Sequence, residues 1–157
     1  MSSATNNQFV SAEPRISFGA QETEQLGEQF GQTLSPGDLV VLTGPLGSGK
    51  TTFTRGLARG VGIVEPVTSP TYAIAFVHEH PGSGPDLVHV DAYRLTGLDD
   101  LETIDLEPLL DSSITVMEWG SDFVASLADS WYEIIFDRDL DDEDARKIAI
   151  FHKSSSV

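Results

Sequence analysis

The chain has no cysteine, which excludes disulfides and thiolate metal sites and fits a reducing cytoplasm. Basic residues are scarce: nine lysines and arginines face 25 aspartates and glutamates, a formal net charge of −16 at pH 7. A surface this negative repels polyanions, so direct binding of nucleic acid or anionic lipid is not expected. Contact with RNA would be indirect, through a partner that supplies basic surface. No apolar run approaches the length of a membrane span. The N-terminal "MSSATNNQFVSAEP" has neither the basic nor the apolar region of a secretory signal. A cytoplasmic protein without membrane contact is the expectation.

What is present, in 157 residues, suffices for one domain around a single core. Residues 1–14 read as a disordered polar tail, 15–152 as the domain, and 153–157 as a short C-terminal tail. "RISF" (15–18) reads as a first strand, and Leu26, Phe30 and Leu34 at helical spacing predict an amphipathic helix over 20–34. "LVVLT" (39–43) is apolar without alternation, as in a strand buried on both faces. A helix follows from about Lys50 to Val61. Strands are predicted within 69–80, 87–95 and 114–119, helices over 98–110 and 121–129, and a closing hairpin from "WYEIIF" and "RKIAIF". This alternation predicts an α/β fold: a single-domain, P-loop NTPase-like architecture with a mostly parallel sheet, helices on both faces and an antiparallel C-terminal hairpin.

The stretch "GPLGSGKT" (44–51) lies between the buried strand and the following helix. Gly44, Gly49, Lys50 and Thr51 satisfy G-x-x-x-x-G-K-[ST] in the context that gives the pattern meaning. Gly47 and Gly49 let the backbone curl so that successive N–H groups converge on phosphate, at a helix N-terminus that carries partial positive charge. Lys50, read as an exposed loop side chain, bridges β- and γ-phosphates in such a loop, and the Thr51 hydroxyl ligates Mg²⁺. The nucleotide-binding candidates are Leu46, Gly47, Ser48, Gly49, Lys50, Thr51 and Thr52. A ligand-free glycine turn is the bland alternative, but one of only three lysines in the chain falls at the required position.

The remaining residues sort the nucleotide classes. The only asparagines are Asn6 and Asn7, so the Asn-Lys-x-Asp guanine reader is excluded. No cluster of arginines forms the lid of a small-molecule kinase, which stays as the second reading; Arg55 and Arg59 read as surface or partner contacts. A third reading is a nucleotide-gated binding module without required hydrolysis. "HVDAYR" (89–94) puts Asp91 near the C-terminal end of a strand, with His89 and Tyr93 on the same strand face. "VMEW" (116–119) does the same for Glu118, and α/β sheets bind ligands outside the carboxyl ends of their strands. Both acids are candidate Mg²⁺ ligands, as is Thr71 in "VTSPTY" (67–72), where the alternative is a turn made by Ser69-Pro70. Lys50, Asp91 and Glu118 are the catalytic candidates; Trp119, Tyr93 and Arg94 are assigned to the nucleotide or partner face.

In order, "ETEQLGEQF", "GPLGSGKTTFTRGLARG", "VTSPTY", "HVDAYRL" and "MEW" resemble the TsaE (YjeE) family, the ATPase of bacterial tRNA threonylcarbamoyladenosine biosynthesis, over residues 20–119. The resemblance implies a compact P-loop fold, ATP and Mg²⁺ as cofactors, and a role beside the TsaB/TsaD-type proteins that install threonylcarbamoyl on tRNA adenosine. It places the phosphate loop on Leu46 to Thr51, Mg²⁺ ligands on Thr51 and Glu118, and a strand acid on Asp91. Pro45 and Gly120 depart from the family pattern, which carries an acid and a proline there. His78 and His80 form a His-x-His pair, read as the exposed end of a hairpin rather than a metal site. The acidic run 137–144 reads as a solvated hairpin tip, and Trp131 as core.

Overall fold

The computed structural model describes residues 7–45, 47–67, 75–91, 107–119, 124–138 and 145–154, to which all structural statements refer. In chain order the elements are β1 (Ser11–Ser17), α1 (Ala20–Gly31), β2 (Leu39–Thr43), α2 (Lys50–Val61), β3 (Ala75–His78), β4 (Leu87–Asp91), α3 (Glu107–Leu110), β5 (Ile114–Glu118), a 3-10 turn (Val124–Ser126), β6 (Ser130–Arg138) and β7 (Arg146–Ser154). Seven strands form one sheet in the order β1-β7-β6-β2-β5-β4-β3. The centre is parallel, β6 and β5 flanking β2 and β4 flanking β5. The β6–β7 pairing is antiparallel, as the closing hairpin predicted, and so are the two edges, β1 on β7 and β3 on β4.

The apolar runs occupy the parallel centre because both sheet faces there are covered. One face carries Val40, Leu42, Val116, Ile134 and Phe136 and packs against Phe30 of α1 and Phe53 and Leu57 of α2. On the other, Leu39, Val41, Val124 and Trp131 form one cluster and Val88, Val90 and Met117 another, with Leu110 of α3 against both. Trp131 is a core residue, as expected.

The two helices of the first face touch backbone to backbone. A Cβ on Gly56 or Gly60 of α2 would collide with the carbonyls of Glu24 or Glu28 on α1, and one on Gly27 or Gly31 with those of Phe53 or Leu57. This seam fixes the helix that starts at the phosphate loop, because the gap admits no side chain at all.

Three expectations need correction. The disordered tail over 1–14 is wrong over its described part: Asn7 bonds Thr33 and Tyr132, and from Ser11 β1 runs along the edge of β7. Phe9 is buried with its ring edge-on to Phe30 at 6.2 Å. A polar edge strand buries little, so its composition resembles that of a tail. At the other terminus β7 continues through Lys153 and Ser154, into the segment expected as a tail. Of the helix expected over 121–129, the described part is only the 3-10 turn at Val124–Ser126. Among the described residues no helix is long and apolar enough to cross a membrane.

Candidate functional site

Strand alternation delivers the site. Side chains two apart share a face, so the apolar rows that pack on α1 and α2 run on into polar residues at the edge from which the phosphate loop springs. Leu87 is followed by His89 and Asp91 on β4, Ile114 and Val116 by Glu118 on β5, and Tyr132, Ile134 and Phe136 by Arg138 on β6. On β7, running the other way, Arg146 precedes Ile148 and Ile150. The phosphate loop after β2 therefore has carboxylates on its β5 side and guanidinium groups on its β6 side.

The loop takes the turn its glycines allow. Gly47 and Gly49 have φ of 76° and 104°, a region costly for residues with a Cβ. Ser48 donates its N–H to Pro45 O at 3.1 Å, and Phe53 N–H reaches Gly49 O at 2.8 Å as α2 begins. The Ser48 hydroxyl is buried without a hydrogen-bond partner. An orphaned hydroxyl in a curled glycine loop at a helix N-terminus, where the first N–H groups have no intrahelical acceptor, fits an anionic ligand.

Lys50 is only 6% exposed, not the exposed loop lysine expected. Its ammonium donates to Gly44 O at 2.6 Å and Pro45 O at 3.1 Å and lies 4.5 Å from the centre of the Trp119 ring. Burial pushes Lys50 below the usual lysine range, while Glu118 and Asp91 act in the opposite direction. That influence brings both acids into the electrostatic surroundings of the lysine. Trp119 itself has φ 63°, a left-handed backbone that costs a non-glycine residue about 1–3 kcal/mol. Its N–H donates to Leu42 O at 2.9 Å, tying the end of β5 to β2.

Glu118 is 8% exposed, and its Oε2 lies 2.7 Å from Nε2 of His89, itself completely buried. His89 Nδ1 has no partner. The imidazole fixes one carboxylate oxygen by hydrogen bonding through Nε2. Among the described residues no group of three or more His, Cys, Asp or Glu converges. A cation at Glu118 would thus be held together with phosphate oxygens and Thr51, the usual arrangement for Mg²⁺ at a nucleotide.

Of the sequence candidates, the structure gathers Gly47, Ser48, Gly49, Lys50, Thr51 and Thr52 at the junction of β2 and α2, with Asp91, Glu118 and Trp119 at neighbouring strand ends. Leu46, Thr71, Tyr93 and Arg94 lie outside the described residues. His78 is not the exposed hairpin end expected: it is 3% exposed, with Nδ1 at 2.6 Å from Glu65. Arg59 pairs with Glu24 at 2.7 Å, and Arg55 donates to Val67 O at 3.2 Å, so both have partners within the chain.

Sequence reasoning missed two residues at the loop. Arg146 Nη2 lies 3.3 Å from Gly47 O, and a Cβ built on Gly47 would meet Arg138 Nη2 at 2.5 Å. The signal was available, since Arg138 is in step with Tyr132, Ile134 and Phe136.

A family model described as threonylcarbamoyl adenosine biosynthesis protein TsaE matches residues 18–148. A relative named tRNA threonylcarbamoyladenosine biosynthesis protein TsaE, from Streptomyces coelicolor, is 50% identical over 119 residues, 75% of this chain and 80% of its own length. One of the same name from Bacillus subtilis is 34% identical over 124 residues, 78% and 76% of the two chains. The crystal structure of Bacillus subtilis YdiB superposes with a TM-score of 0.69 at 29% identity, covering 90% of this chain and 85% of that one. With a family model matching residues 18–148 and relatives of that name matching three quarters of the chain or more, the chain belongs to the TsaE family of tRNA threonylcarbamoyladenosine biosynthesis proteins.

Proposed function

We propose that the chain is a Mg²⁺-dependent ATPase that supports threonylcarbamoyl transfer to the tRNA adenosine beside the anticodon, acting with a TsaB/TsaD-type partner complex in the cytoplasm. The observation that carries this reading is the buried ammonium of Lys50, held inside a glycine loop by the Gly44 and Pro45 carbonyls with two strand-end carboxylates near it. A buried cation bonded to neutral carbonyls in such a loop is poised to exchange them for phosphate oxygens. Thr51 and Glu118, with Asp91 beside them, are the residues that would hold Mg²⁺, which supplies charge neutralisation at the β- and γ-phosphates. His89 keeps Glu118 oriented through Oε2 while Oε1 is not engaged by it. The Trp119 ring lies against the lysine, its centre 4.5 Å from the ammonium.

Titration calorimetry with ATP, with and without Mg²⁺, tests the reading. Lys50→Ala removes a charge-assisted contact of about 2–3 kcal/mol, so ATP affinity falls roughly 30- to 150-fold. Glu118→Gln, which keeps shape and removes charge, loses the gain that Mg²⁺ gives the parent chain. Thermal midpoints run alongside, because Lys50→Ala also strips two carbonyls of their donor. A folded Lys50→Ala with full ATP affinity contradicts the proposal.

A further inference from the structure

The phosphate loop is flanked asymmetrically, and one flank has no role in the reading above. On the β5 side stand Glu118 and Asp91, which fix where a cation and the terminal phosphates are held. On the β6 side, Arg138 closes β6 and Arg146 opens β7, directly opposite each other in the antiparallel register. Both belong to the sheet rows that face α1 and α2, and both reach Gly47. Arg146 donates to the Gly47 carbonyl at 3.3 Å, and Arg138 lies where a side chain on residue 47 would have to be. The positive φ of Gly47, 76°, favours glycine there, whereas the Arg138 contact involves only the far end of a flexible side chain.

Two of the chain's nine basic residues thus converge on one loop glycine. Since β6 and β5 flank β2 on opposite sides, a triphosphate whose metal-bearing end were held at Glu118 would extend its other end across the loop toward β6. That end carries the ribose and the base. A guanidinium is planar, stays charged and stacks on aromatic faces, which suits it to a nucleobase in a way an ammonium is not.

We infer that Arg138 contacts the nucleoside end of the bound nucleotide and that Arg146 is a positioning residue, holding the loop through the Gly47 carbonyl. The inference rests on the ATP reading and adds to it the flank that distinguishes a nucleotide from bare triphosphate.

Calorimetry comparing ATP with inorganic tripolyphosphate, both with Mg²⁺, separates the roles. Arg138→Ala weakens ATP by about 3- to 30-fold, the range of a guanidinium–aromatic contact, and leaves tripolyphosphate within about twofold. Arg138→Lys keeps the charge but not the plane, so ATP affinity stays reduced. Arg146→Ala weakens both ligands alike, because it acts through the loop. Both side chains lie at strand ends toward solvent, and far-UV circular dichroism confirms that each variant is folded. Equal losses of ATP and tripolyphosphate in Arg138→Ala, no loss of either, or full recovery in Arg138→Lys each overturn the assignment. A parent chain that binds neither ligand instead overturns the ATP reading, and this inference with it.

Discussion

A single imidazole links the core to the site. His89 is completely buried and bonds a carboxylate that is itself nearly buried. Removing the ring leaves Glu118 desolvated and unpaired, at a cost of about 2–4 kcal/mol. Urea unfolding of His89→Ala should show a loss of that size, whereas His89→Gln, which can still donate to Oε2, should recover part of it. A His89→Ala chain as stable as the parent would mean that the pair contributes nothing. At this scale the sequence was informative where chemistry restricts residue type. Lys50, Thr51, Asp91 and Glu118 stand out by motif and by position at strand ends. The bond between His89 and Glu118 did not, because the residues are 29 apart and only the parallel pairing of β4 with β5 brings them together. Arg138 could be placed at the end of its strand row by alternation, but its closeness to Gly47, and that of Arg146, follows only from the pairing of β6 with β2 and β7.

The elements divide along similar lines. The strand before the loop and the helix after it were legible to the residue, Leu39–Thr43 and Lys50–Val61, since an unbroken apolar run and a glycine turn leave few alternatives. The first strand was legible only in part: Arg15 to Ser17 fell in the expected strand, but Ser11 to Pro14 were assigned to a tail. Edge strands bury one side of a ladder and carry no strong pattern. The glycine seam between α1 and α2 was invisible for a different reason, because glycines in helices read as weak helix formers until the partner helix is known. Its energetics are testable. Gly56→Ala drives a methyl into the Glu24 carbonyl, and overpacking of this kind costs about 1–3 kcal/mol. Gly82→Ala is the control, since its nearest neighbour, His80, lies at an ordinary 3.5 Å. The thermal midpoint should drop clearly for Gly56→Ala and barely move for Gly82→Ala. Comparable midpoints for the two would show that the helices separate without penalty, and that the seam does not hold α2 against α1.

Across the whole molecule the dominant quantity is charge. A net −16 works against tRNA binding, since contacts from lysine and arginine to phosphate supply most non-specific affinity for nucleic acid. On the proposed function, a chain with this surface would meet tRNA through its partners. Turnover points the same way. On the proposed function the loop, Lys50 and the strand-end acids would supply a cradle and metal ligands, while Arg138 and Arg146 stand on the flank away from Glu118. An arginine supplied to the transferring phosphate is worth ~10³–10⁵ in rate in P-loop systems, and a partner complex is the natural source. The most direct measurement is multiple-turnover ATP hydrolysis by the chain alone, with a TsaB/TsaD-type complex, and with that complex plus tRNA. Slow hydrolysis alone that rises on adding the complex and changes again with tRNA is the predicted result; brisk hydrolysis indifferent to both additions would contradict it.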